Sequence, residues 1–353
     1  YCLDAATGKQ RWTYFTEGPV RLAPTIAGGR IYVGSDDGHA YCLDAKSGSL
    51  IWETRPGPKD YRIPGNARVI SRWPLRTGIV VIGDTAYCAA GMFPAEGVLI
   101  TAIDAGTGIR NLGLELAAEM VEKGGGMNLH LLLSHTHWDH IQGLPFFDPA
   151  YMGGTTLIIY GSQKKGDFLE SILHGQMNND YFPVQMSDFP SDIRIQQLPE
   201  TMNFDDFTLD AQEQVFHPGG SLRFRINTGD RCIVYASDIE LDKIFYPDEP
   251  SAEVDAMKDE YMQFIHGADL LIADGQYTKE EYGMHVGWGH TSIPVLVEVA
   301  HKCRVKQLAL FHHDPQHSDT KLEEILLDIC APMQSADPPM NVFCAREGVS
   351  LPI

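Results

Sequence analysis

Long apolar runs are missing from this 353-residue chain: none approaches the roughly 18 to 20 residues that a membrane-spanning helix requires, so no membrane partner is expected. No charged-then-apolar leader with a small-residue cleavage site stands at its start, where Tyr1 opens in mid-pattern. Cysteine is sparse and scattered. Cys2, Cys42, Cys88, Cys232, Cys303, Cys330 and Cys344 are odd in number and contain no C-x-x-C pair, which argues against a disulfide frame or a Cys-rich zinc site and for reduced thiols buried as small hydrophobes. Positive charge is also short. There are 27 Lys and Arg against 47 Asp and Glu, a formal net charge of −20, and no extended basic insertion offsets it. A long nucleic acid would be repelled, so no large nucleic-acid surface is expected and a small-molecule substrate fits better.

What the chain does have is 44% hydrophobic residues, enough to bury a core in each of two domains. Its beginning repeats itself. The text from Tyr1-Cys2-Leu3-Asp4-Ala5-Ala6-Thr7-Gly8 to Trp12 returns from Tyr41-Cys42-Leu43-Asp44-Ala45-Lys46-Ser47-Gly48 to Trp52, a period of 40 residues. Each copy reads as a strand, a D-A-x-[TS]-G turn and a strand ending in Trp. Between them, Arg30 to Gly34 and His39 to Leu43 alternate across an Asp36-Asp37-Gly38 turn. Such a period reads as propeller blades, and the wording resembles quinoprotein-type (pyrroloquinoline-quinone-like) β-propeller repeats. The resemblance implies an architecture and no cofactor, because no quinone ligand set accompanies it. A closed propeller has at least four blades, and this stretch holds about two and a half. Residues 1–97 are therefore expected to form an incomplete all-β propeller fragment.

A third D-A-x-T-G, Asp104 to Gly108, is followed by a different grammar. Leu112, Leu116, Met120 and Val121 recur at helical spacing, with Gly124 to Gly126 as the stop. From there strands and helices alternate. Strands are expected at Thr155 to Tyr160, Asp269 to Ala273 and Gln307 to Phe311, and a hairpin from Ser221–Asn227 and Cys232–Ala236. Helices are expected at Asp167 to Leu173, Ser292 to Cys303 and Thr320 to Ile329.

The densest chemistry lies in Leu129 to Gly143, LHLLLSHTHWDHIQG. His135, His137, Asp139 and His140 fall within six residues, where the apolar run Leu131-Leu132-Leu133 stops. A buried strand would carry that run, and its end would aim His135 and His137, two apart, toward one metal, with Asp139 and His140 turned to a neighbouring one. This string resembles the signature of the metallo-β-lactamase superfamily, mostly binuclear metal-dependent hydrolases, over residues 98–353. That resemblance implies an α/β fold, an αββα sandwich holding metals at one edge, here with its first strands absent. Either propeller strands replace them or two genes are joined at the shared D-A-G-T-G, and the join is favoured. Unpaired sheet edges would then be expected near residues 60 to 100.

The same resemblance assigns His217 in Phe216-His217-Pro218 as the third ligand motif, Asp238 as the bridging carboxylate and His312 as the last histidine, with His313 its alternative. It implies two divalent ions, zinc being suited to the ligand set and manganese or iron the alternatives, and a hydroxide between them as nucleophile. Asp139 and His290 are the candidate catalytic residues. Asp274-Gly275-Gln276-Tyr277 and Trp288-Gly289-His290-Thr291-Ser292 resemble the acid and H-S/T pair of the phosphodiesterase branch, which includes RNase Z. Where that branch usually has Gly and Tyr in the hairpin, this chain has Arg223 and Phe224. The expected activity is hydrolysis of a small phosphodiester such as a cyclic nucleotide, with the cytoplasm favoured for this half. The competing readings are a propeller-type binding scaffold with a passenger metal domain, a thiolesterase or lactonase, and a di-iron oxidoreductase of the same superfamily.

Overall fold

A computed structural model describes residues 1–56, 62–65, 68–71, 75, 79–82, 85–87, 100–123, 126–162, 166–204, 207–349 and 351. Its chain divides into two units, Tyr1–Glu96 and Gly97–Ile353. In the first, the repeated turn is built the same way twice. Asp4 Oδ1 accepts from the amides of Ala6 and Thr7 and from the Thr7 hydroxyl; Asp44 Oδ1 accepts from the amides of Lys46 and Ser47 and from the Ser47 hydroxyl. Asp suits such turns because its short carboxylate reaches backbone amides two and three residues on.

The first turn joins β1 (Cys2–Leu3) to β2 (Gln10–Trp12). The second lies within an antiparallel four-stranded meander of β3 (Thr25–Ala27), β4 (Arg30–Gly34), β5 (Ala40–Asp44) and β6 (Leu50–Thr54). Trp12 ties one copy to the next. Its indole N–H donates to Ala45 O at 3.2 Å and its ring covers Gly48, where any Cβ would collide with it. Tyr32, Ala40, Cys42, Leu75 and Ile79 make a small core against Trp52. Two further antiparallel pairs follow, β7 (Arg62–Gly65) with β8 (Arg68–Ser71) and β9 (Val80–Ile82) with β10 (Thr85–Tyr87). Much of the stretch expected to carry unpaired edges, and Val98 and Leu99 at the expected join, lie outside the described residues.

In the second unit the strands sort into two sheets. The first is wholly parallel, in the order β11 (Ile100–Ile103), β12 (Met127–Leu132), β13 (Thr155–Gly161) and β14 (Asp192–Gln197). Among the described residues β11 pairs with β12 alone, which makes it an edge. The second sheet holds β15 (Thr201–Asn203), β16 (Thr208–Gln214), β17 (Ser221–Thr228), β18 (Arg231–Ala236), β19 (Leu270–Asp274), β20 (Gln307–Phe311) and β21 (Asn341–Cys344) side by side. It is antiparallel as far as β18 and parallel beyond it. The helices are α1 (Ile109–Lys123), α2 (Trp138–Ile141), α3 (Gly166–Gln176), α4 (Leu241–Phe245), α5 (Ala252–Ile265), α6 (Lys279–His285), α7 (Ile293–Lys302) and α8 (Asp319–Gln334). Among the described residues, no helix is long and apolar enough to cross a membrane.

The two-residue period of the strands sets the layers. Leu129 and Leu131 of β12, with Leu157 and Ile159 of β13, pack with Ile109, Leu116, Leu169 and Leu173 of α1 and α3. The alternate residues Leu132 and Tyr160 meet Leu209, Leu222, Phe224 and Tyr235 between the sheets. Val234, Leu271 and Leu308 face outward again, against Tyr261, Leu296 and Ile325 of α5, α7 and α8. Both faces of the central strands are therefore covered, which explains their continuous apolar text. The result is helix, sheet, sheet, helix: the αββα sandwich.

Leu132 is fully buried between the sheets. Leu132→Ala should lower the stability of this unit by about 2–5 kcal/mol through lost burial and a residual cavity. Urea denaturation followed by tryptophan fluorescence and circular dichroism measures it.

Candidate metal centre

Parallel strands deliver their carboxyl ends to one edge of a sheet, and the loops that leave those ends meet there. Asp104 follows β11. His135 and His137 follow β12, with Asp139 and His140 on α2. His217 lies in the β16–β17 connection, Asp238 follows β18, Asp274 ends β19 and His312 follows β20. Turning the chain this sharply uses unusual backbone. Asp104 (φ 60), Phe216 (φ 58), Asp238 (φ 58) and His312 (φ 57) all adopt the left-handed region, where a non-glycine residue costs about 1–3 kcal/mol. Four such residues on one rim mark a site whose geometry outranks local comfort.

The structure brings all seven residues of the expected ligand set together. His135, His137 and His217 have ring nitrogens within 4.8 Å of one another, and so do Asp139, His140 and His312 with their carboxylate and ring atoms. His217 Nε2 lies 3.1 Å from His137 Nδ1, and His312 Nε2 lies 3.1 Å from Asp139 Oδ2. Asp238 stands between the two groups. One oxygen is 3.8 Å from His135 Nε2, 3.9 Å from His217 Nε2 and 3.3 Å from His312 Nε2; the other is 3.4 Å from His140 Nε2. His313 belongs to none of these groups.

The outward ring nitrogens of His135, His140 and His217 each have a partner, whereas the buried Nδ1 of His312 has none. His217 Nδ1 donates to Gly289 O at 3.0 Å, His140 Nδ1 donates to Asp104 Oδ2 at 2.8 Å, and His135 Nδ1 lies 3.1 Å from the Ser134 hydroxyl. Donation from Nδ1 leaves Nε2 of His217 and His140 turned to the cluster, the arrangement in which an imidazole serves a metal. The atoms on the inner side test the fit. His135 Nε2, His140 Nε2 and Asp238 Oδ2 are buried with no hydrogen-bond partner. Buried polar atoms are almost always paired, and lone pairs facing one another are satisfied by a shared cation.

The electrostatics agree. Burial, with His140 beside it, pushes His135 down to about 2, and burial takes His217 down to about 4, so both keep a free lone pair. Burial also opposes charge on His140, but the carboxylates of Asp104, Asp139 and Asp238 override it and push the ring up to about 12. Bonds from His140 and His312 hold Asp139 well below the carboxylate range. Neutral imidazoles on one side and a demand for positive charge on the other describe a pocket made for a cation.

His290 sits in the same cleft. Its ring stacks on His312 with centroids 4.8 Å apart and meets His217 edge-on at 5.3 Å, while Nδ1 donates to Asp274 Oδ2 at 2.7 Å. Burial pushes the Asp274 carboxyl up, against the bond from His290. His290 and Asp274 also fall, with Asp238 and His312, in a group close enough to hold a metal, but the 2.7 Å contact is a hydrogen bond and leaves no room for an ion between them. His290 lies three residues before a helix start, whose free groups are already taken. Helix α7 begins at Ile293, and its first free groups, the Ser292 amide and hydroxyl, bond to Asp242 at 2.8 and 2.7 Å. That carboxylate already occupies the positive end of the helix, so His290 faces the cleft without it.

Sequence reading found the D-A-G-T-G of Asp104 but not its task. Its carboxylate accepts from the Ser134 amide and hydroxyl, from His140 and from the Tyr235 hydroxyl at 2.8 Å. Burial and the Asp104 charge keep the Tyr235 phenol far above its ordinary range, so it remains a donor. The signal that could have revealed Asp104 is its place at a strand end, as for the ligands themselves.

An αββα sandwich with a buried His and Asp cluster at its strand ends defines a metal-dependent hydrolase. The chain belongs to the beta-lactamase superfamily: the family model described as a beta-lactamase superfamily domain matches residues 101–313, more than half of it. A second model, described as the outer membrane protein assembly factor BamB, matches residues 1–119. Among curated relatives, ribonuclease Z of Sulfurisphaera tokodaii is 24% identical over 213 residues, 53% of this chain and 71% of that protein. The dehydrogenase subunit of a quinone-dependent alcohol dehydrogenase from Gluconobacter oxydans is 33% identical over 125 residues, 30% of this chain. The chain spans only 15% of that relative's length. Similar solved structures include the metallo-beta-lactamase fold protein YhfI from Bacillus subtilis, 18% identical over 70% of this chain and 85% of that one, with a TM-score of 0.47. The short form of human tRNase Z is 16% identical over 78% and 92%, with a TM-score of 0.44.

Asp104→Asn would keep one acceptor but lose the charge that orients His140. Metal affinity should fall by about 10- to 100-fold, as for other partners of ligating histidines. Competition titration with a chromogenic chelator checks it, and unchanged affinity would reduce Asp104 to a turn residue.

Proposed function

We propose that the unit Gly97–Ile353 is a binuclear phosphodiesterase acting on a small phosphodiester such as a cyclic nucleotide. His135, His137 and His217 would hold one divalent ion, Asp139, His140 and His312 a second, and Asp238 would touch both. Zinc suits these nitrogen and carboxylate donors, with manganese or iron as alternatives. Ions held there supply Lewis acidity and a water acidic enough to give hydroxide near neutral pH.

The observation that carries the choice of phosphodiesters is the Asp274–His290 pair, at 2.7 Å, inside the cleft and outside the two His-rich groups. Asp274 fixes the ring through Nδ1 and leaves Nε2 as the proton site. A histidine so held can bond a phosphate oxygen or protonate a leaving alkoxide, the requirement that distinguishes phosphodiester cleavage from hydrolysis with a better leaving group. The likeness to ribonuclease Z supports the same chemistry. Substrate size is argued from elsewhere. The net charge of −20 opposes a polyanion.

Two measurements test this. Elemental analysis should find divalent metal, and a screen should find turnover of bis-p-nitrophenyl phosphate exceeding that of thioesters; thioester preference would transfer the unit to another branch. His290→Ala should keep both metals and lower turnover of a cyclic nucleotide, whose leaving group is an alkoxide, by about 10²- to 10⁴-fold. Undiminished turnover would return His290 to a packing role. Asp238→Ala, in contrast, should lose the second ion and nearly all activity, whereas Trp12→Ala or Trp52→Ala should leave the specific activity of the folded protein almost unchanged.

A further inference from the structure

The segment Gly287–Ser292, which carries His290, is fastened along its length to Ile239–Asp242, the loop that leaves Asp238. Thr291 Oγ1 donates to Ile239 O and accepts from the Leu241 amide at 3.0 Å, and Asp242 takes the amide and hydroxyl of Ser292. Glu240 makes the third fastening, and it differs from the other two. Its side chain is 1% exposed, and it accepts from the Gly287 amide at 2.8 Å, the Gly289 amide at 3.2 Å and the Tyr282 hydroxyl at 2.8 Å, with Lys243 Nζ at 3.4 Å. Nothing in the sequence motifs singles out this residue.

One of those amides belongs to Gly289, the residue that leads to the metal centre. Gly289 receives Glu240 on its N–H, and its carbonyl, on the far side of the same residue, receives Nδ1–H of His217. The residue is pressed against that ring: φ is +89°, and a Cβ would lie 2.6 Å from His217 Nδ1. A carboxylate drawing on two amides of one short loop therefore fixes the carbonyl that sets the tautomer and tilt of His217. Because Glu240 is two residues beyond Asp238, the restraint also spans both sides of the cleft.

We infer that Glu240 is a positioning residue for the centre: through Gly289 it holds His217 in register with His135 and His137, and through the same strap it places His290. The inference rests on the reading of His135, His137 and His217 as metal ligands. Its predicted signature is a loss of metal affinity larger than the loss of fold stability can explain.

The test is a cobalt(II) titration of metal-stripped full-length protein, followed by visible absorption, with thermal unfolding of the apoprotein measured in parallel. Glu240→Gln, which keeps shape but removes the charge, should weaken the tighter cobalt site by about 10- to 100-fold. Its visible spectrum should shift, and the far-ultraviolet circular dichroism should remain that of the native protein. Asp269→Asn is the control. It loosens a buried carboxylate bonded to the Cys232 amide and Lys306, just before β19 and at the opposite end of that strand from Asp274. It should lower the unfolding temperature without changing cobalt affinity. If Glu240→Gln fails to fold, Glu240→Asp, one methylene shorter and able to reach one amide, is read in its place with the same expectation. Wild-type cobalt affinity in the Glu240 variant, or an equal loss in Asp269→Asn, overturns the inference. A wild-type protein that binds no cobalt would instead overturn the metal reading beneath it.

Discussion

Ring nitrogens and carboxylate oxygens crowded into a buried cleft are costly, and the fold around this centre is arranged to hold them there. His135 Nε2, His140 Nε2 and Asp238 Oδ2 are buried without a hydrogen-bond partner. An unsatisfied buried polar atom costs about 1–3 kcal/mol, and the left-handed residues that deliver the ligands add to that. The surrounding sandwich supplies the compensation. Its three apolar layers bury both faces of the strands whose ends make the rim, so the strand ends from which the ligand segments leave are held fixed. The outward nitrogens of His140 and His217 are anchored to Asp104 and to Gly289 O, which closes relaxation by rotation to those two rings.

The letters D-A-x-[TS]-G occur three times and are used in two ways. At Asp4 and Asp44 the carboxylate is folded back on its own turn and the motif is finished locally. At Asp104 the backbone turns left-handed, with φ 60, and the carboxylate leaves the turn to reach Ser134, His140 and Tyr235, thirty or more residues away in sequence. A strand leading into a tight turn is common to all three. The element after the turn decides the outcome: a second strand in the first two copies, α1 in the third. The switch of grammar seen in the sequence is a switch from a self-contained turn to one that reports to a distant site.

That contrast also explains how much was legible. His135, His137, Asp139 and His140 are close in sequence because one strand end supplies them all. His217, Asp238 and His312 announce themselves because each follows an apolar strand or precedes one. Most strands and helices lay where apolar periodicity put them, as with Gln307–Phe311. The half-buried segments were not visible: β14 to β16 carry polar text such as DIRIQQ, and α5 is mostly charged on its outer face, since only one side of each meets a core. Val121, expected on the buried stripe of α1, points outward, because Ile109 and Leu116 define the face that packs. Glu240 and Asp104 were hidden for another reason. A carboxylate that serves backbone amides and a ring nitrogen has no spacing rule, and only three-dimensional proximity gives it a role.

The strap that carries His290 also constrains what can bind. Backbone amides in a glycine-rich loop and at a helix start are ready anion sites. In this cleft they are taken: the amides of Gly287 and Gly289 by Glu240, the start of α7 by Asp242. An anionic substrate that meets this wall therefore finds no backbone cradle for a string of phosphates. It finds one imidazole, held by Asp274, beside the cluster of metal-seeking atoms. A single phosphodiester needs no more than that, because the cations on the opposite side would carry its charge. A long polyanion would need further positive contacts, which a chain with 27 basic and 47 acidic residues is poorly supplied to make. On the proposed phosphodiesterase reading, the same carboxylates that stiffen the strap would also narrow the substrate, so that rigidity and selectivity would come from one set of bonds.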